Sequence, residues 1–488
     1  MNFILIFTFM LIIYISLGFF IAYFSRKYGI KSSSDYFVSN RNLGWFLASM
    51  TYAATTYSAF MMVGLVGLTY MNGIGALGFE LAYLLVTVIL LTLLGPNVWK
   101  MAKERGWISP SEMLADLYNS KIIGYTVVII YIIAMIPYVA AQMVGIGAIF
   151  ESIGISYEVG ILIISILILA WIIIAGMWSV ATTDAYQGIW MLSAALFLVF
   201  LLTMNILPSY NISLENINNA LINSGIMKIT DFWSINTFLA YTIPWIFFAV
   251  TNPQVVVRLY VHRDRISFNR SVLLFSIFGF LYTLAVVYIG LIVRGLTELN
   301  LFERILRQDM VTPIFLSKLN PVIASFIYIS ILGAAVTTAN SIILAVASSF
   351  IRDFIERRNL KTNTIRFSNT IVALLTIVSA FLAYLRIGFV VDLSVLTSVM
   401  LIPLAPITIA AWLFPKISKE KLVRKSALIS LIVSSSIAFI FAILLGPRRT
   451  FLTSYFGLPL SIIILTIATI IVIIGYIIEG IKKVYQIE

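Results

Sequence analysis

Nearly uninterrupted apolar stretches of about 20 residues recur from one end of this 488-residue chain to the other. A segment of that length matches one crossing of a hydrocarbon layer about 30 Å thick. Lipid offers backbone N–H and C=O groups no partners, so each such segment has to satisfy its own as a helix. Thirteen runs qualify, at 3–24, 45–70, 74–94, 122–150, 157–176, 185–207, 236–257, 270–293, 321–351, 367–385, 388–413, 426–446 and 456–480. With 61% hydrophobic and 11% charged residues, the chain has too little polar surface to be soluble. The expected fold class is an all-α polytopic membrane protein with about 13 transmembrane helices. The first run lacks a polar n-region and a small-residue cleavage site, which predicts a retained helix rather than a signal peptide.

Basic residues orient the chain. One alternating set of loops collects Arg26, Lys27, Lys31 and Arg41; Lys100, Lys103, Arg105 and Lys121; and Arg258, Arg263, Arg265 and Arg270. The same set continues with Arg352, Arg357, Arg358, Lys361 and Arg366; Lys416, Lys419, Lys421, Arg424 and Lys425; and Lys482 and Lys483. Those are 24 of the 32 Lys and Arg; the opposite loops hold the other eight. The bias predicts an outer N-terminus and an inner C-terminus in the plasma membrane. It also accounts for the net charge of +12 as a membrane signal, with no basic soluble face for nucleic acid. The partners expected are the lipid bilayer and a small organic solute, with no obligatory protein partner evident. Asn211-Ile212-Ser213, a sequon on the outer side, is a weak three-residue pattern.

Two runs are polar where lipid would forbid it. One reads Met50-Thr51-Tyr52-Ala53-Ala54-Thr55-Thr56-Tyr57-Ser58-Ala59, the other Gly333-Ala334-Ala335-Val336-Thr337-Thr338-Ala339-Asn340-Ser341. Such hydroxyls either join helices to one another or face water or a bound solute. Enzyme chemistry is disfavoured. Without cysteine and with His262 as the one histidine, the chain has no thiolate site, no His-cluster metal site and no Ser-His pair. No GxxxxGK[ST] pattern supplies an ATP engine. A sensor built on such a fold would append a signalling domain, whereas the chain ends at Glu488 just after the last run.

A symmetry links runs two to six with runs seven to eleven. Each set opens on an interrupted helix, at Ala53 to Ser58 and at Thr251-Asn252-Pro253, where Pro253 removes a backbone donor. Paired interruptions in corresponding halves point to a midplane binding site between inverted repeats. An odd number of crossings per set makes the second enter from the opposite side.

Several stretches resemble the sodium/solute symporter family of proline, sugar, pantothenate and monocarboxylate carriers. Ser34-Asp35-Tyr36-Phe37 with Asn40-Arg41-Asn42-Leu43-Gly44 is similar to its "DYF…GRxLG". Gly64-Leu65-Val66-Gly67 stands for "GLPG", with valine replacing proline. Gly176 to Trp178 with Thr183-Asp184, Gln187 and Gly188 resembles "GG…TDxxQG", the family's fifth loop, and Pro253 to Arg258 resembles "PxxxxR". Gly333-Ala334-Ala335 through Asp353 resembles "AAxxSTADSxLLxxSS…RD". The ordered set, from about residue 34 to 413, is specific although each match is modest.

The resemblance implies a LeuT-type 5+5 inverted-repeat core: an extra N-terminal helix (3–24), a first repeat (45–207), a second repeat (236–413) and two extra C-terminal helices (426–480). It implies a sodium site built from the carbonyls of Ala54, Tyr57 and Ala334 and the hydroxyls of Thr337 and Thr338. Five or six hard, neutral oxygens suit sodium without trapping it. Solute contacts are expected at Thr56, Ser58, Ala59, Glu80, Gln142, Trp245, Ala249, Asn252 and Pro253. The proline carriers of the family have an aspartate at the position of Thr56, and the family's common aspartate is Asn340 here. Glu80 within a span costs about 2.5–3.5 kcal/mol on insertion scales; it is either a solute contact or a helix end that reaches water. Asp184 is expected at the inner mouth of the sixth span, aiding ion release or acting as a solvated cap. Arg258 is read as the inner end of the seventh span. The function expected is sodium-driven uptake of a carboxylate or amino acid by alternating access, with sugar transport or proton coupling as the alternative.

Overall fold

The computed structural model describes residues 3–25, 33–174, 177–356 and 364–485. Helix occupies all thirteen apolar runs. Among the described residues, nine helices are long and apolar enough to cross a membrane unbroken. Two more spans follow if Trp45–Thr56 with Phe60–Asn72, and Val390–Leu401 with Leu404–Leu413, each count as one bent crossing. The other two runs hold the shorter apolar helices Tyr157–Ile172 and Ile235–Thr251. Of the predicted motifs and basic loops, Arg26, Lys27, Lys31, Gly176, Arg357, Arg358 and Lys361 lie outside the described residues.

The interrupted helices break where the sequence lets them. In the second segment the helix runs to Thr56, Tyr57 turns extended (φ −90°, ψ 105°), and a π-helical turn over Phe60–Leu65 restarts the chain at a 47° bend. In the seventh, helix ends at Thr251, Asn252 is extended (φ −84°, ψ 121°) and Pro253 opens the next turn. A residue before proline is driven out of the helical region, and proline needs no N–H at a first helical position.

The sixth segment departs from expectation. Its helix starts at Met177, eight residues before the apolar run, so Thr183 and Asp184 lie within a helix rather than in a loop. Charge and hydroxyls interrupt the hydropathy signal there, but Asp184 is only 1% exposed and its oxygens are bonded inside the bundle. Arg258 and Arg294, counted above as loop charges, are likewise buried on helices.

The second, sixth and eighth segments pack together, and the fourth, Lys121–Ser152, packs on the fifth, ninth, tenth and eleventh. The ninth, Pro321–Ile355, joins the two groups and is buried along most of its length. The first helix docks on the sixth and ninth, where the Gln187 amide donates to the Tyr14 hydroxyl (2.6 Å). The last two long helices, Lys421–Leu445 and Leu460–Tyr485, pack chiefly on each other.

Between the eighth and ninth segments the chain folds back over one end of the core. The Ile305 N–H donates to the Tyr70 hydroxyl (3.1 Å), and the Asp309 carboxylate accepts from the Val390 N–H (3.0 Å) at the start of the eleventh segment. The Thr312 hydroxyl donates to the Met62 carbonyl, within the π-helical turn of the second segment. Gly67 lets the Gln308 backbone come closer than any Cβ would allow.

Candidate ion and solute site

The break in the second segment ends its hydrogen-bond ladder at Tyr57 N–H to Ala53 O (2.8 Å). The next two carbonyls, of Ala54 and Thr55, accept the Thr338 hydroxyl at 3.2 and 3.3 Å. Two proposed sodium ligands on segments 284 residues apart in sequence therefore meet directly. Ala334 precedes Thr338 by four residues on an unbroken helix and so shares its face, whereas Thr337, the residue just before Thr338, is turned about 100° around that helix and bonds Asp184 instead. All five residues of the set are buried. The Tyr57 ring leaves the site and stacks between Phe275 and Phe278.

Beside this contact lies a buried charged network that the sequence reading did not assemble. Asp184 accepts the Thr337 hydroxyl on Oδ1 and the Thr51 hydroxyl on Oδ2 (2.6 Å). Arg258, expected to mark a helix end, is 1% exposed and pairs with Asp184 at 3.4 Å. Its guanidinium also donates to Thr51 (3.3 Å), to the Gln254 carbonyl (2.9 Å) and to Ser341 (2.6 Å). Ser341 in turn accepts from Thr55 (3.0 Å). The sequence signal was present: a Thr-rich turn, an acid and an arginine each stood in or beside an apolar run. Asp184 is no solvated cap, because both of its oxygens are engaged and buried.

The solute candidates divide into three groups. Gln142 is committed to structure: its Oε1 accepts from the Ala59 N–H (3.1 Å) and its Nε2 donates to the Tyr138 carbonyl (3.2 Å). Ser58 takes the Phe60 N–H (3.1 Å). Two backbone donors at the first break thus already have side-chain partners. Ala249 and Pro253 are buried next to the second break. Thr56 Oγ1, Asn252 Oδ1 and Glu80 Oε2 are buried without a hydrogen-bond partner. Glu80 is 1% exposed, so it does not reach water as a helix end. Its carboxyl lies beside the Trp245 indole, and Trp245 packs on Phe60 at a centroid distance of 5.0 Å, just past the first break. Both interrupted helices and the third segment therefore converge on Glu80 and Trp245. Among the described residues no group of three His, Cys, Asp or Glu side chains could hold a metal ion.

A family profile described as the sodium:solute symporter family matches residues 36–402. The chain belongs to the sodium:solute symporter family. This symporter is 24% identical over 353 residues to a sodium/pantothenate symporter of Haemophilus influenzae, covering 70% of this chain and 71% of that protein. It is 23% identical over 359 residues to sodium/proline symporter 2 of Staphylococcus saprophyticus, covering 71% and 67%. A structure of the substrate-bound outward-open state of a Na+-coupled sialic acid symporter superposes with a TM-score of 0.77 at 18% identity, covering 98% of both chains. The inward-facing conformation of Mhp1 gives 0.53 at 13% identity, covering 89% and 90%. The symporter thus has the LeuT-type fold, and its relatives are transporters rather than enzymes.

Proposed function

We propose that this symporter couples inward sodium flow to uptake of a small carboxylate or amino acid across the plasma membrane, with its N-terminus outside and its C-terminus inside. One observation carries the ion assignment: the Thr338 hydroxyl meets the Ala54 carbonyl at 3.2 Å across the junction of the second and ninth segments. In the loaded state both oxygens turn to sodium, joined by those of Tyr57, Ala334 and Thr337. The shell is neutral, so the ion is held by dipoles and can leave. At −100 mV one sodium supplies about 2.3 kcal/mol, and a tenfold gradient about 1.4 kcal/mol more.

The solute binds between the two helix breaks, against Thr56, Ser58, Ala59, Glu80, Trp245, Ala249, Asn252 and Pro253, with Gln142 holding the first break in shape. Asp184 serves ion release: its bond to Thr337 lets the carboxylate draw sodium from the hydroxyl face, and Arg258 restores the pair once the ion departs. The repeats span 45–207 and 236–413, flanked by helices at 3–24 and 426–480.

Uptake into proteoliposomes tests this reading. At least one of labelled L-proline and L-lactate should accumulate under an inward sodium gradient and not under an equal potassium gradient. Accumulation that follows a proton gradient and ignores sodium would contradict it.

A further inference from the structure

Glu80 is a buried acid without a counter-ion. Among the described residues no Lys, Arg or His forms an ion pair with it; Arg258, the buried cation of the core, is spent on Asp184. Trp245, whose indole lies beside the Glu80 carboxyl, belongs to a cluster of aromatic rings. Trp245 packs on Phe60, Phe79, Tyr83 and Phe248 at centroid distances of 5.0, 5.9, 5.9 and 5.5 Å, and Tyr83 meets Phe248 at 5.8 Å. The indole N–H of Trp245 is aimed at the Glu80 carboxyl, and the hydroxyl of Tyr83 is buried without a partner.

A desolvated carboxylate beside a cluster of aromatic rings attracts positive charge by Coulomb attraction, and any ring that presents its face to the cation adds its quadrupole. It repels an anion for the same reasons. Sodium is a poor occupant, because it wants a shell of several hard oxygens and these walls are mostly carbon. A sugar is also a poor fit: Gln142, the amide best placed to read hydroxyls, is committed to Ala59 and Tyr138.

We infer that Glu80, with Trp245 and Tyr83, forms an ammonium subsite, and that the transported solute carries a cationic nitrogen. This rests on the symport reading above and narrows its solute class from carboxylates and amino acids to amine-bearing compounds. The nitrogen sits against Glu80, so the rest of the solute lies toward Thr56 and Asn252, whose side-chain oxygens lack partners.

Matched pairs that differ only at nitrogen test the subsite. Purified full-length protein in sodium buffer is titrated with L-alanine against L-lactate, L-serine against L-glycerate, and L-proline against tetrahydrofuran-2-carboxylate, with D-galactose alongside. Thermal unfolding reports binding. Nitrogen-bearing members should stabilise the protein and their oxygen counterparts should not. Glu80→Gln should weaken the stabilising amine about tenfold or more, since a charge-assisted contact is lost. Trp245→Phe, which keeps an apolar ring, should weaken it less and stands in if the Glu80 variant does not fold. Stabilisation by hydroxy acids or galactose alone, by none of the amines, or an unchanged affinity in both variants would overturn the subsite. Sodium-stimulated uptake of a hydroxy acid alone would spare the symport reading while removing the subsite. Amine binding and transport indifferent to sodium would do the reverse.

Discussion

Arg258 and Asp184 form an ion pair at 3.4 Å with side chains 1% and 2% exposed, joining the seventh segment to the sixth deep inside the bundle. Thr51 and Ser341 bond the same guanidinium, so four segments share one charged cluster.

Breaking that pair from one side strands the other charge. Arg258→Leu or Asp184→Leu should each destabilise the protein by about 3–5 kcal/mol, and the double variant should recover much of the loss. A double-mutant cycle of thermal unfolding in detergent measures the coupling. Losses that simply add would show that the two residues do not depend on each other.

Little of this cluster was legible in the sequence, and the reason is physical. Helix in each of the thirteen apolar runs follows from hydropathy because lipid forces each run to satisfy its own backbone. The break at Asn252-Pro253 follows from proline chemistry. Asp184 and Arg258, however, are 74 residues apart, and a lone charge beside an apolar run reads as a helix end unless its partner is known. Gln142 misled in the opposite sense. It looked free to contact solute, but the unwound Ala59 N–H needed an acceptor and took it. Glu80 stood out in the sequence by its cost, while its burial beside Trp245 arises only from packing of the second, third and seventh segments.

The chain folded over one end of the core should respond to pH. Burial holds the Asp309 carboxyl up to about 7, helped by Asp392 and opposed by its bond to Val390 N–H and by Arg307. The ordinary value is about 3.9, so the seated form binds the proton more tightly than an open or unfolded form. Seating is therefore favoured below about pH 4 and weakens as pH rises to about 7. The chain has no native cysteine, so Val311→Cys, buried within the seated segment, reports opening by thiol labelling. Labelling corrected for thiolate content should rise across that window, and Asp309→Asn should flatten it. Gly67→Ala, which drives a Cβ into the Gln308 carbonyl, should leave the site labelled at every pH.

Orientation is open to a separate test with single cysteines on intact cells. A label at Asn223, exposed on the helix Leu214–Asn223, should react with an impermeant reagent from outside. One at Lys421, exposed at the start of the twelfth segment, should react only after the membrane is opened. The reverse pattern would invert the assigned orientation.

The ion site is the centre of the account, and it needs no knowledge of the solute to be tested. Equilibrium binding of radioactive sodium to the purified protein should saturate. Thr338→Ala removes one ligand oxygen from an unbroken helix and should weaken binding about tenfold or more, as loss of a desolvated partner costs about 1–3 kcal/mol. Thr338→Ser, which keeps the oxygen, should restore most of it. Superimposable isotherms for the wild type and Thr338→Ala would contradict the account and leave the hydroxyl as a tie between two helices.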